Sequence, residues 1–376
     1  MSNDIYMLWL SSMVHQLGSR KLNTLIDTFE TARNIFNAPI EELERHLTPK
    51  GLCTITSQRN LQYIEGLLNS MEAEGIVYYS REHERYPNLL KEIPDPPVGL
   101  FCIGTFPPES MHKVAIIGSR RCSEYGLMAA QLLATPLAQN GVVVVSGMAR
   151  GVDSMAHKGA IQGGGQTVAV LGCGVDVCYP PENNFLRKEI INNGCVISEY
   201  PPSTQPLPAF FPARNRIISG LSKGVVVTEA AAKSGTLITV DQAASQGREV
   251  MAVPGNISSR LSEGTNHLIR DGAHIVASHI DILYALGISK CNNSSEFEKK
   301  QPKDQKNNET DSLSKNLATE EKQVYDSLSY EPVSFDILSE MVNIGVGQLH
   351  LICTSLELKG LLKKLPGSRY IKNIVN

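Results

Sequence analysis

Three segments bring together residue types suited to holding a phosphate-bearing ligand. Gly118-Ser119-Arg120-Arg121 follows an apolar run, and Ser123 stands where it could cap a following helix. Glycine lets an anion approach the backbone, free N–H groups at a helix start attract it, and an arginine can fork onto its oxygens. The same tetrapeptide also suits a tight strand-to-helix turn with surface arginines. Ser146-Gly147-Met148-Ala149-Arg150-Gly151-Val152-Asp153 repeats the pattern, with Asp153 as expected N-cap of a helix carrying His157 and Lys158. There Arg150 either serves a second phosphate-sized niche or pairs with Asp153, and His157 is not read as a general base.

The third segment is Phe210-Phe211-Pro212-Ala213-Arg214-Asn215-Arg216, expected to be extended because Pro206 and Pro208 precede it. Aromatic faces stack on unpaired bases while arginines neutralise the adjoining backbone, which favours single-stranded nucleic acid over a stacked duplex. The alternative buries one phenylalanine and spends Arg214 or Arg216 on an internal carboxylate such as Glu199 or Glu229. Thr228 to Thr236 adds small residues and Lys233, but the chain contains no GxxxxGK[ST], so nucleotide hydrolysis is not expected. Gly172-Cys173-Gly174 carries two of the three glycines of a dinucleotide fingerprint and lacks the third.

The elements that must position these groups are written in hydrophobic runs. VAIIG, VVVVSG, TVAVLG, CVISEYP, GVVVTEA, EVMAVPG and HIVAS alternate with helical stretches between about residues 113 and 278. Continuous apolar strands separated by helices predict an α/β, Rossmann-like, doubly wound, mostly parallel sheet, with ligands beyond the carboxyl ends of its strands. The Pro-rich stretch from Tyr86 to Pro97 is expected as an extended lead-in to that sheet.

Residues 1–75 place Leu8, Leu10, Leu22, Leu25, Ile26 and Phe29 at helical spacing, predicting a small all-α domain of SAM or helix-hairpin-helix type. Its Gln16-Leu17-Gly18-Ser19 turn is half of a phosphate-binding hairpin whose first glycine is missing, and packing is the preferred role. The sheet domain is assigned to 80–288. Residues 289–317 are polar and mixed in charge and predict a flexible linker. Residues 318–376 predict a winged helix, with Ser334 capping a second helix and a two-stranded wing after Gly360. Its third helix, Val346 to Lys359, carries almost no positive charge, so protein contact is preferred over duplex reading.

Composition limits the partners. The 376 residues are 42% hydrophobic and 19% charged with a formal net charge of -3, so any nucleic-acid site must be a local patch. The eight cysteines form no CxxC pair and no zinc spacing, and no apolar run reaches the ~20 residues of a membrane span. No metal, no cofactor, no membrane insertion and a reducing cytoplasmic setting are therefore expected.

Read in order, GSRRCSEYG, SGMARGVDSMAHKGAI, VAVLGCGVDVCYPPEN, ISEYPP, FPARNRIISGLS, TEAAAKSGTLIT, GREVMAVPGN and GTNHLIRDGA resemble the DNA-processing protein A (DprA/Smf) family. The resemblance covers about 80–288. It implies single-stranded DNA binding without catalysis, protection of incoming strands in natural transformation, loading of the RecA recombinase, and a homodimer. It points to Gly118, Ser119, Arg120, Arg214, Asn215 and Arg216; Phe211 is added for base stacking, and Lys158, Lys233 and Arg150 as further candidates. Two enzymatic rivals are a nucleotide phosphoribohydrolase using Glu229 and a dinucleotide-dependent oxidoreductase. The first lacks the glycines that should precede its glutamate, and the second lacks a complete fingerprint.

Overall fold

The computed structural model describes residues 3–288, 319–328, 332–342 and 344–373. The expected linker therefore lies outside the described residues. Contacts divide the chain into two compact units, Met1–Cys291 and Asn292–Asn376.

In the first unit the seven predicted strands all form: β3 (Lys113–Ile117), β4 (Val143–Ser146), β5 (Thr167–Val170), β6 (Gly194–Ser198), β7 (Gly224–Val227), β8 (Glu249–Ala252) and β9 (His274–Ile275). All are parallel. Two strands unforeseen in the sequence, β1 (Ile76–Ser80) and β2 (Gly99–Gly104), pair antiparallel with each other, and β2 pairs antiparallel with β6. The Pro-rich stretch is thus a connection within the sheet rather than a lead-in. It still packs there, through buried Tyr86, Leu90 and Ile93, with the Tyr86 hydroxyl donating to Pro97 O at 2.8 Å.

The sheet order is β1-β2-β6-β5-β4-β3-β7-β8-β9. After β3 the chain winds outward through β4, β5 and β6, then returns to lay β7 on the other flank of β3. That reversal leaves a crevice at the carboxyl ends of β3 and β7. Alternate side chains feed opposite cores: Val143 and Val145 pack with Ile217, Ile218 and Val240, while Val144 packs with Ala130, Leu133 and Ala156. Each such buried branched residue contributes about 1.5–3 kcal/mol, which is why these strands are apolar on both faces.

Residues 3–73 form seven helices, from Asn3–Ser12 to Leu61–Ala73. Their core is continuous with the sheet unit, since Trp9, Leu22 and Ile64 cluster with Val98, Phe101 and Tyr200. The second unit has helices Thr319–Ser327, Phe335–Val342 and Val346–Leu358, and antiparallel strands β10 (Val333–Ser334), β11 (Leu362–Leu365) and β12 (Arg369–Lys372). This is the expected winged helix, and Ser334 Oγ accepts from Ile337 N at 3.4 Å.

His157 belongs to the core rather than to chemistry. It is fully buried, and Thr167 Oγ1, which donates to Val144 O, accepts from His157 Nδ1 at 2.7 Å. Burial, with Arg214 nearby, pushes its pKa down from 6.5 to about 3. Between those values the unfolded chain binds a proton that the native one excludes, so stability held above the unfolded pKa is lost as pH falls. His157→Gln should remove up to about 1.4 kcal/mol per pH unit from the acid slope of unfolding free energy. Urea denaturation between about pH 4 and 7 reads it, and identical slopes would refute the neutral, buried imidazole.

Candidate nucleic-acid interface

A cleft of about 670 Å³ opens at the carboxyl ends of the parallel strands, lined from every one of β3 to β7. Gly118 to Arg121 come from the end of β3, Ala149 from β4, Tyr179 from the loop after β5, Phe211 to Ile218 from the segment after β6, and Ser234 to Thr236 from β7.

The Phe210–Gly220 segment is an α-helix, not extended chain. Pro212 lies in its first turn, where the missing N–H costs no helical hydrogen bond. The helical period puts Phe211, Arg214, Asn215 and Ile218 on the face that lines the cleft. Arg216, two residues beyond Arg214, is turned roughly 200° away.

Arg214 is 4% exposed. Its Nη1 donates to Gly147 O at 2.8 Å and to Val170 O, and its Nε to Asn215 Oδ1 at 3.2 Å. Desolvation lowers its pKa to about 10 while Asp153 opposes the shift, so the guanidinium stays charged at neutral pH. A Cβ on Gly147 would sit 2.6 Å from Arg214 Nη1 and 2.7 Å from Asp153 Oδ2, so only glycine fits beneath this cation. Asp153 is not the N-cap; Gly151 is, with φ +77°. Asp153 is buried in the first turn and accepts the N–H groups of Gly147 and Ala149, binding the strand-end loop to its helix.

Arg216 corrects the sequence reading: it does not reach the cleft. It is 7% exposed, and its guanidinium meets Glu199 at 2.6 Å, Asp95 at 3.3 Å and the Ser19 hydroxyl. Gly118 lines the cleft, but its missing Cβ would collide with Val152 at 2.7 Å. Tight internal packing, rather than access for a phosphate, therefore dictates that glycine.

Arg120 is exposed and is ion-paired with no carboxylate among the described residues; its guanidinium lies 5.2 Å from the Phe211 ring centroid. Phe211 in turn lies 5.4 Å from the Tyr179 ring, tilted by 38°. Tyr179 was not singled out in the sequence. Thirty-two positions separate it from Phe211, and only an aromatic beside two prolines after a strand-end turn hinted at it. Three arginines, Arg120, Arg121 and Arg214, line the cleft against one carboxylate, Asp153, and this local excess is hidden within an acidic chain.

Among the other candidates, Ser119 and Asn215 line the cleft. Lys233 is exposed next to cleft-lining Ser234. Arg150 borders an adjoining niche with Arg120, Tyr179 and Phe211, but it pairs with Glu182 rather than Asp153. Lys158 is exposed on the Val152–Gln162 helix and does not line the cleft. Glu229, the carboxylate of the phosphoribohydrolase alternative, is buried, and both its oxygens accept from Ser123, through N–H and hydroxyl at 2.7 Å each.

A family model described as DNA recombination-mediator protein A matches residues 77–287, and one described as DprA winged helix domain matches 308–368. The protein Smf of Synechocystis is 31% identical over 98% of this chain and 99% of its own length. The chain belongs to the DprA/Smf family. The DNA processing protein DprA of Streptococcus pneumoniae is 46% identical over 57% of this chain and 76% of its own. The solved S. pneumoniae DprA structure superposes with TM-score 0.64 at 37% identity, covering 76% of this chain and 98% of that one. A Helicobacter pylori DNA processing protein A, solved to explain its single-stranded DNA binding mode, gives TM-score 0.50 at 33% identity over 56% of this chain and 95% of that one.

Buried Arg216 and exposed Arg120 should respond differently when substituted. Arg216→Met leaves Glu199 buried without its cation and should cost about 3–5 kcal/mol. Arg120→Met removes an exposed group and should stay within about 0.5 kcal/mol of the parent. Chemical denaturation of both variants checks the contrast.

Proposed function

We propose that the cleft holds an unpaired stretch of DNA and that this DprA/Smf protein is a non-enzymatic recombination mediator. One base stacks on the exposed side of the Phe211–Tyr179 pair, and adjoining phosphates meet Arg120 and Arg121, with Arg214 supplying fixed positive potential from below. The observation that carries this reading is Arg120: an exposed guanidinium with no described carboxylate partner, held 5.2 Å from an aromatic ring in an open cleft. Such a unit pairs a backbone charge with a stacking face, the combination single strands require. The single-stranded DNA binding ascribed to the H. pylori relative supports it.

Family membership supports the further steps, in which the protein protects incoming strands during natural transformation and loads the RecA recombinase in the cytoplasm. A homodimer is supported by exposed apolar residues along the β9 edge and the helix after it: Ile275, Ile280 and Tyr284, the last 89% exposed. In the winged helix, exposed Leu351 and Leu358 on a helix without lysine or arginine support a protein contact rather than duplex reading. The locking of both Glu229 oxygens by Ser123 weighs against a phosphoribohydrolase.

Fluorescence anisotropy with labelled oligo-dT tests the cleft. Arg120→Glu should weaken binding at least about tenfold and reduce the salt slope by roughly 0.7 for each phosphate no longer neutralised. Phe211→Ala should cost about 1–3 kcal/mol with the slope unchanged. Parental affinity in both variants would remove the proposed mechanism.

A further inference from the structure

A second groove of about 600 Å³ adjoins the cleft, on the far side of the Phe210–Gly220 helix. The two share Pro212 as a common wall. The Thr236–Ser245 helix also runs along both: Ile238 and Thr239 face the cleft, and Gln242, about one turn further, faces the groove. Gln242 Nε2 donates to Pro212 O at 3.0 Å, which fixes the saddle between them. The groove's opposite wall is the N-terminal helical unit, at Gly18 to Lys21 and Thr24.

Charge in this groove is arranged in depth. Its two carboxylates, Asp95 and Glu199, are 17% and 3% exposed and both meet Arg216 at the floor. Arg20 is 90% exposed at the rim, 3.5 Å from Asp95, with Lys21 beside it. Three cations against two recessed carboxylates leave the solvent-facing side positive. The Arg216 cluster also binds the two walls together, because Ser19 of the helical unit bonds to both Arg216 and Glu199. The groove is therefore preformed rather than assembled by a ligand.

We propose that this groove continues the track of the single strand, so that DNA leaving the cleft crosses Pro212 and lays its phosphates against Arg20 and Lys21. This rests on the cleft reading above and extends it: the N-terminal helical unit becomes part of the DNA-binding surface, lengthening the site without adding bases to the stacking pair. A strand suits the groove because its walls offer backbone charge neutralisation but, Tyr200 apart, no aromatic platform.

The experiment compares oligo-dT lengths from roughly 4 to 16 nucleotides on the full chain. The parent should gain affinity with length beyond what the cleft alone accepts. In the Arg20→Glu/Lys21→Glu variant, the shortest bound oligonucleotide should keep its affinity within about twofold, while the longest should lose about tenfold and about 1.4 of salt slope, two phosphates' worth. Thr24→Lys, an exposed change on the same wall, should move the longest oligonucleotide the opposite way and leave the shortest alone. If both variants bind all lengths like the parent, the groove proposal is overturned while the cleft stands. If instead Arg120→Glu leaves even the shortest oligonucleotide bound normally, the failure belongs to the cleft.

Discussion

Two guanidinium groups buried on opposite sides of one short helix constrain everything around them. Desolvating a cation is costly unless its N–H donors and its charge are both met, and the chain meets each in a different way. Arg214 is satisfied by main-chain carbonyls at the ends of two strands and by Asp153 at longer range. Arg216 is satisfied by two carboxylates and a hydroxyl contributed from three separate parts of the chain. The first arrangement requires the sheet's carboxyl edge to be built to fit; the second requires the N-terminal helices to dock.

Several otherwise unrelated features follow from those requirements. Gly147 has no side chain because the Arg214 guanidinium occupies that space. Asp153 sits inside its helix, rather than at the cap, because there it can bind the loop N–H groups and still face Arg214. Asp95, from the connection between β1 and β2, accepts from Asn23 as well as pairing with Arg216. The helical unit, the antiparallel edge of the sheet and the Phe210–Gly220 helix thus meet at one polar cluster on the floor of the groove. Breaking that cluster would loosen a domain contact as well as remove a charge.

The parallel strands β3 to β7 are readable because each is buried on both faces and so is almost wholly apolar, a signal independent of context. The two antiparallel strands are not: Ile76–Ser80 lies just past a helix, Gly99–Gly104 directly follows a Pro-rich stretch, and neither shows strict apolar–polar alternation. At Phe210 the preceding prolines imply extension, whereas Pro212 is compatible with the first turn of the helix that forms. The difference decides which way Arg214 and Arg216 face. In an extended chain, residues 214 and 216 point the same way; in a helix they point apart. The expectation that one of the two arginines meets Glu199 was sound, but only the helical phase says which.

The helical phase also explains how an acidic chain can present a cationic surface. Arg214 contributes its charge from beneath the cleft, and Arg216 neutralises carboxylates that would otherwise face the adjoining groove. Neither needs to touch a ligand to shape the potential it would feel, because a charge held in a low-dielectric wall is poorly screened by solvent. Under the proposed function, direct contact falls to exposed groups such as Arg120 and Arg121, which line the cleft and are free of described ion pairs. A buried, fixed source of potential beneath exposed contact residues is what would let the proposed cleft hold a strand without reading its sequence.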